Sequence, residues 1–170
     1  MATKYFAKDT NADTTCDADT PFDMSKTQGS ATTVASRDHA NSAFEESLTF
    51  DIDVSGDNPA TGNVDVSLDV AVVDASVEYR FRVQAVDDSG CGVSASTGYS
   101  AAFTTNGIKT LSPESLTWAA GDDRLRLSIE TRKLAGHGNL GITVNVNDAD
   151  SFVNTSFTPA GGGRRQFSVS

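Results

Sequence analysis

The chain has 170 residues, 38% of them hydrophobic, and a formal charge of −10, enough length to bury a core of its own. With 23 Asp and Glu against 13 Lys and Arg, it lacks the clustered cations that nucleic acids and anionic membrane surfaces recruit. No apolar run approaches the ~20 residues of a membrane helix. The opening, Met1 to Lys8, has no signal-peptide core, so synthesis in a cytoplasm is expected.

Residues 1–43 read as a polar lead-in, rich in Asp, Thr and Ala between Asp9 and Thr20, with room for one short strand within 28–36. An N-terminal arm or irregular segment is expected there. From Ser47 the pattern sharpens: Leu48, Phe50, Ile52 and Val54 alternate with Thr49, Asp51 and Asp53, the period of two of a half-buried strand. Turn-forming residues fill 55–62. Val64, Val66, Leu68, Val70 and Val72 then alternate with Asp65, Ser67 and Asp69, and after Asp74, Ala75 and Ser76 comes a second strand from Val77 to Val86. A tight hairpin on Asp74 and Ala75 would set Val70 opposite Tyr79, Leu68 opposite Phe81, Val66 opposite Val83 and Asp69 opposite Arg80. Apolar and charged sets both match in that register.

Farther on, Ser115 to Trp118 reads as a short strand. Leu125, Leu127, Ile129 and Thr131 alternate with Arg124, Arg126, Ser128 and Glu130, and Leu140, Ile142, Val144 and Val146 alternate with Gly141, Thr143 and Asn145. Phe152, Phe157, Phe167 and Val169 are isolated anchors around Pro159 and Gly161 to Gly163. No segment sustains a helical period. The expected fold is all-β, an antiparallel β-sandwich of immunoglobulin/fibronectin-like or jelly-roll type, with about eight to ten strands and little helix. The expected organisation is an arm over 1–43, a sandwich over 44–158 and a flexible tail over 159–170. A split near 106 into two β modules is the alternative.

The run Tyr79-x-Phe81-x-Val83-x-Ala85, the Gly90-x-Gly92 turn and the following Tyr99, Ala101 and Phe103 resemble the last hairpin of a fibronectin type III domain over Val77 to Thr104. The resemblance implies a β-sandwich used for display or assembly and no chemistry. The chain departs from that family where its interstrand corner carries Pro and Thr: Val73, Ala75 and Val77 stand there. The family's early core tryptophan is missing too, because the single tryptophan is Trp118. In that family the strands flanking this link lie in opposite sheets, which conflicts with the hairpin.

Asp51, Asp53, Ser55, Gly56 and Asp57 imitate the start of a calcium loop, but Gly62 stands where a bidentate Glu is needed. Asp17 to Asp19 and Asp148 to Asp150 are short acidic triplets of the kind common in loops. Cys16, Cys91, His39 and His137 lack zinc-ligand spacing, and the two cysteines are expected as free thiols. Asp38 and His39 have no nucleophile elbow to serve, and Gly161 to Arg165 lacks the strand–loop–helix setting of a phosphate loop. No catalytic, cofactor or metal residue is therefore assigned, and no enzyme is expected.

The function expected is that of a non-catalytic virion protein, first a bacteriophage capsid decoration or cement protein, next a tail or fibre component. Its partners would be the major capsid protein or other virion proteins and further copies of itself, a trimer among the closed forms, and its location the virion, with no nucleic acid or membrane bound. Strand edges, the 1–43 arm and the 159–170 tail would make the contacts. The alternative is a soluble carbohydrate- or protein-binding β-sandwich using Tyr5, Phe6, Phe22 and Tyr99 as exposed aromatics.

Overall fold

Alternation with a period of two becomes strand wherever one face can be buried, and the chain does this along most of its length. The computed structural model describes residues 3–11, 22–36, 42–55, 61–87, 92–135 and 140–156. Among these, the strands are β1 (Thr3–Asn11), β2 (Phe22–Ser25), β3 (Thr32–Ala35), β4 (Glu45–Asp53), β5 (Gly62–Val73), β6 (Val77–Asp87), β7 (Val93–Ser96), β8 (Gly107–Leu116), β9 (Asp122–Lys133), β10 (Ile142–Val146) and β11 (Phe152–Thr155). No α-helix occurs among the described residues. The all-β expectation holds.

Hydrogen bonding joins all eleven strands into one sheet, ordered β3-β10-β5-β11-β1-β2-β4-β9-β6-β7, with β8 on the other side of β5. β10 and β11 lie end to end along β5, pairing with its second and first halves. The pairs are antiparallel except β2 with β4, so the strands form one mixed sheet where two separate antiparallel sheets were expected. Val64 to Val70 of β5, Tyr79 to Val83 of β6 and Leu125 to Ile129 of β9 belong to one core cluster, although β5 and β6 stand far apart in the pairing order. The sheet therefore bends over to bring its two ends against each other.

The proposed hairpin between β5 and β6 does not form. β5 pairs with β8, β10 and β11, and β6 pairs with β9 and β7. A two-residue hairpin loop needs positive φ at its first central residue or at both. Of the link residues only Ser76 has it, at 70°. Asp74 is tied to Gly141 through its backbone N–H and through its carboxylate, which accepts the Gly141 N–H at 2.9 Å, and the Ser76 carbonyl accepts the Leu134 N–H. The link thus crosses from one end of the sheet to the other. Both apolar faces still point into the core, which is why a pairing register could be matched from sequence without being adopted.

Residues 1–43, expected as an arm with room for one short strand within 28–36, supply β3 in that stretch and β1 and β2 besides. β1 runs between β11 and β2, and β3 closes the β10 edge. The strand expected at Ser115 to Trp118 begins eight residues earlier, as β8 from Gly107. Pro113 hid it: Pro113 lies in a bulge between the Val64–Glu114 and Val66–Leu111 pairs, on an edge strand where a missing N–H costs no ladder bond. The other half of the 77–104 hairpin is only partly regular. After β7, residues 97–103 follow β6 irregularly, and the Thr97 and Ser100 hydroxyls accept the Val83 and Phe81 N–H groups at 3.0 Å. Phe103 then pairs with Tyr79. Residues 159–170 lie outside the described residues.

Candidate functional site

On β5, the valines and leucine at 64, 66, 68 and 70 point inward, so Asp65, Ser67 and Asp69 point away from the core. β11 and β1 alternate in step: Val153 and Tyr5 are buried, while Phe152, Asn154, Lys4 and Phe6 face outward. Register then builds a site from four strands. Asn154 lies opposite Asp65 and donates its amide to Oδ1 at 2.9 Å, and Asn145 of β10 donates to Asp69 Oδ2 at 2.7 Å. Between these two pairs, Phe152 lies opposite Ser67 on one side and Phe6 on the other. The two rings meet edge to face with centroids 6.2 Å apart, and the Lys4 ammonium lies 3.8 Å from the Phe152 centroid.

This face offers amide donors, carboxylate acceptors and a half-buried aromatic pair. Its other outward positions include Ser67, Thr110 and Thr143. An Asn–Asp contact made through one amide N–H leaves the second amide N–H and further acceptor lone pairs for other partners. Such groups meet hydroxyls.

The opposite end of the sheet is differently built. Arg80 donates through Nε and Nη2 to Glu130 Oε2 at 2.9 and 2.6 Å, and the Tyr99 hydroxyl donates to Oε1 at 2.5 Å. Tyr99 also packs against two guanidinium groups, with the Arg80 and Arg82 Cζ atoms 3.6 and 4.5 Å from its ring centroid. Phe44 lies between Arg80 and Arg132 in the same manner, at 4.1 and 4.4 Å. Arg132 donates to Glu78. Arginine and aromatic side chains thus alternate along β6 and β9, each cation stacked on a ring. Farther along the same face of β9, Arg126 reaches Asp51 through both Nε and Nη2, at 2.8 and 2.9 Å, and Asp51 is fully buried. Most of these groups are partnered within the ladder, Arg82 Nε and Gln84 Oε1 being buried without a hydrogen bond, and the ion pairs tie β6, β9 and β4 together.

Burial, then the hydrogen bond to Glu130, raises the Tyr99 hydroxyl above its ordinary value, and burial does the same more strongly for Tyr79, whose hydroxyl donates to the Thr105 carbonyl at 2.9 Å. A raised folded-state value means that the stabilisation is complete below the unfolded tyrosine value, about 10, and is lost as pH rises through the folded values. Alkaline titration should therefore develop tyrosinate absorbance from these two residues in step with unfolding. Tyr79→Phe should make stability fall less steeply above about pH 10. Full ionisation of both tyrosines while near-ultraviolet dichroism stays native would contradict this.

Of the residues weighed from sequence, Phe6 faces outward in the four-strand site and Tyr99 belongs to the ladder. Tyr5 is core, and Phe22 packs on Phe50 with centroids 5.9 Å apart. Asp51 is engaged by Arg126. Hydrogen bonding from the Ser55 side chain, then from the Ser55 N–H at 2.8 Å to Oδ1, holds the Asp53 carboxyl below the usual carboxylate range. Asp148 Oδ1 accepts the N–H groups of Asp150 and Ser151, shaping the turn before β11. Gly56, Asp57, Cys16, Cys91, His39, His137, Asp17 to Asp19 and Gly161 to Arg165 lie outside the described residues. Sequence reading missed Asp65, Asp69, Asn145, Asn154 and Phe152. Each sits on an outward strand position, where a polar residue is the ordinary expectation, and only cross-strand register brings them together.

No family model matches the chain, and no curated protein matches it. Among solved structures, a CocE/NonD family hydrolase from Staphylococcus aureus is similar, at 10% identity and a TM-score of 0.49, over 93% of this chain and 37% of the hydrolase. A second crystal structure of that hydrolase gives 10% identity and 0.47, over 91% and 36%. The chain thus spans little more than a third of the hydrolase's length. The expected virion function, whether capsid decoration or tail and fibre component, is not carried forward: the two similar structures are of a protein named as a hydrolase, not as a virion component. Period-two strands, acidity and Ser/Thr/Gly-rich loops belong to β proteins of many kinds, so they could not single out a virion. No residue role passes from a likeness at this level.

Proposed function

We propose that this chain is a recognition domain for a glycan, held on the outward face of β5, β10, β11 and β1. The observation that carries the reading is the pair of Asn–Asp contacts, Asn154 with Asp65 and Asn145 with Asp69, set on either side of Phe152 and Phe6. Sugar hydroxyls both donate and accept, and amide–carboxylate pairs answer both needs. The apolar faces of a pyranose ring pack on half-buried aromatic rings. The side chains stand on strands held from both sides, so binding orders little that is not already ordered.

The test is retention on insoluble cellulose, chitin, xylan and mannan, with Asn154→Ala, Asp65→Ala and Phe6→Ala beside the unaltered protein. Retention by at least one polysaccharide is expected, with affinity falling about tenfold (~1.4 kcal/mol) per variant, by a lost polar contact for Asn154→Ala and Asp65→Ala and a lost ring contact for Phe6→Ala. Far-ultraviolet dichroism should stay unchanged, since the substitutions lie on the outward face. Release of new reducing ends in the same incubations, abolished by these variants, would replace recognition by hydrolysis. Equal retention of all variants would remove the face from the function.

A further inference from the structure

Resting on the glycan reading, we infer that the ligand is a neutral oligosaccharide chain long enough to engage both Asn–Asp pairs at once. Asp65 and Asp69 are four residues apart on one extended strand, so the two pairs lie about 13 Å apart at the ~3.3 Å rise of a strand. That separation exceeds any single pyranose ring. Ser67 lies midway, with Phe152 opposite it in register, so an apolar contact stands between two polar ones along a single line. A monosaccharide can use one pair or the ring. A chain of several units lying along β5 can use all three.

Charge decides the class of chain. Each pair contains a carboxylate, and the protein as a whole carries −10, so a uronate or sulfated polymer would meet like charge at both ends of the site. Among the described residues, the cation on this line is Lys4, whose ammonium is placed over the Phe152 ring. One lysine between two aspartates leaves the line without a net positive potential. A neutral chain incurs no such repulsion, and its binding should be insensitive to salt.

Isothermal titration with cello-, xylo- and manno-oligosaccharides, from monosaccharide to hexasaccharide, and with oligogalacturonates of the same lengths, tests this. Affinity for one neutral series should climb at least tenfold between the monosaccharide and the length that reaches both pairs, then level off. Either Asn154→Ala or Asn145→Ala should remove most of that gain while leaving the affinity for the shortest ligands nearly unchanged. A neutral series whose affinity does not grow with length, or a preference for oligogalacturonates that weakens with salt, would overturn the inference and leave glycan recognition standing. Absence of binding to every saccharide, polymers included, would overturn both.

Discussion

Asp51→Ala is expected to lower stability by about 3–5 kcal/mol, because it strands a charged guanidinium in the interior. Asp51 is fully buried and Arg126 nearly so, and the two meet through a pair of parallel hydrogen bonds across β4 and β9. Taking two charges out of water is costly, and the contact mainly offsets that cost; removing one partner leaves the cost unopposed. The double replacement Asp51→Val with Arg126→Met should therefore recover much of what the single change loses. The midpoint of urea unfolding measures both. A single variant within about 1 kcal/mol of the parent protein would mean that water reaches Arg126 when its partner is gone.

Phe81→Ala should cost a similar ~3–5 kcal/mol, by cavity formation. Its ring is fully buried in β6, stacks with Phe103 at 6.1 Å between centroids, and lies opposite Ile129 in the β9 register. The surrounding strands are pinned on both sides of β6, so the hole cannot close by shifting one of them. Phe81→Leu keeps most of the volume and should cost less than about 1.5 kcal/mol. Equal losses for the two variants would point to the ring contact with Phe103, rather than the filled volume, as the source of stability.

Strand content was legible because the signal is local. The stretches 48–53, 64–73, 77–86, 125–131 and 142–146 each alternate cleanly, and each is strand. Strands without that contrast went unread. β1 alternates Tyr5 and Ala7 with Phe6 and Lys8, too mixed a pattern to stand out, and it is ordered by pairing with β11, which comes some 150 residues later. β8 was obscured by Pro113, whose tolerance depends on an edge position that no local window reveals. β9 misled in another way: Arg124, Arg126, Ser128 and Glu130 occupy a nominal solvent face and are buried, because Asp51, Glu46 and Arg80 reach them from neighbouring strands.

The sequence by itself determined that the fold is all-β and which apolar residues of the cleanly alternating strands face the core. These follow from alternation and composition, properties read within a few residues of one another. Pairing was decided only by the tertiary structure, and with it the site. β5 and β6 matched in apolar and charged register yet lie apart, since the turn geometry at Asp74 to Ser76 and its bonds to Leu134 and Gly141 outweigh cross-strand pairs worth only ~0.2–1 kcal/mol each. Asn154 and Asp65 are 89 residues apart in the chain and 2.9 Å apart in space. Only strand order and register, set by burial of one shared core, bring such residues to a common face.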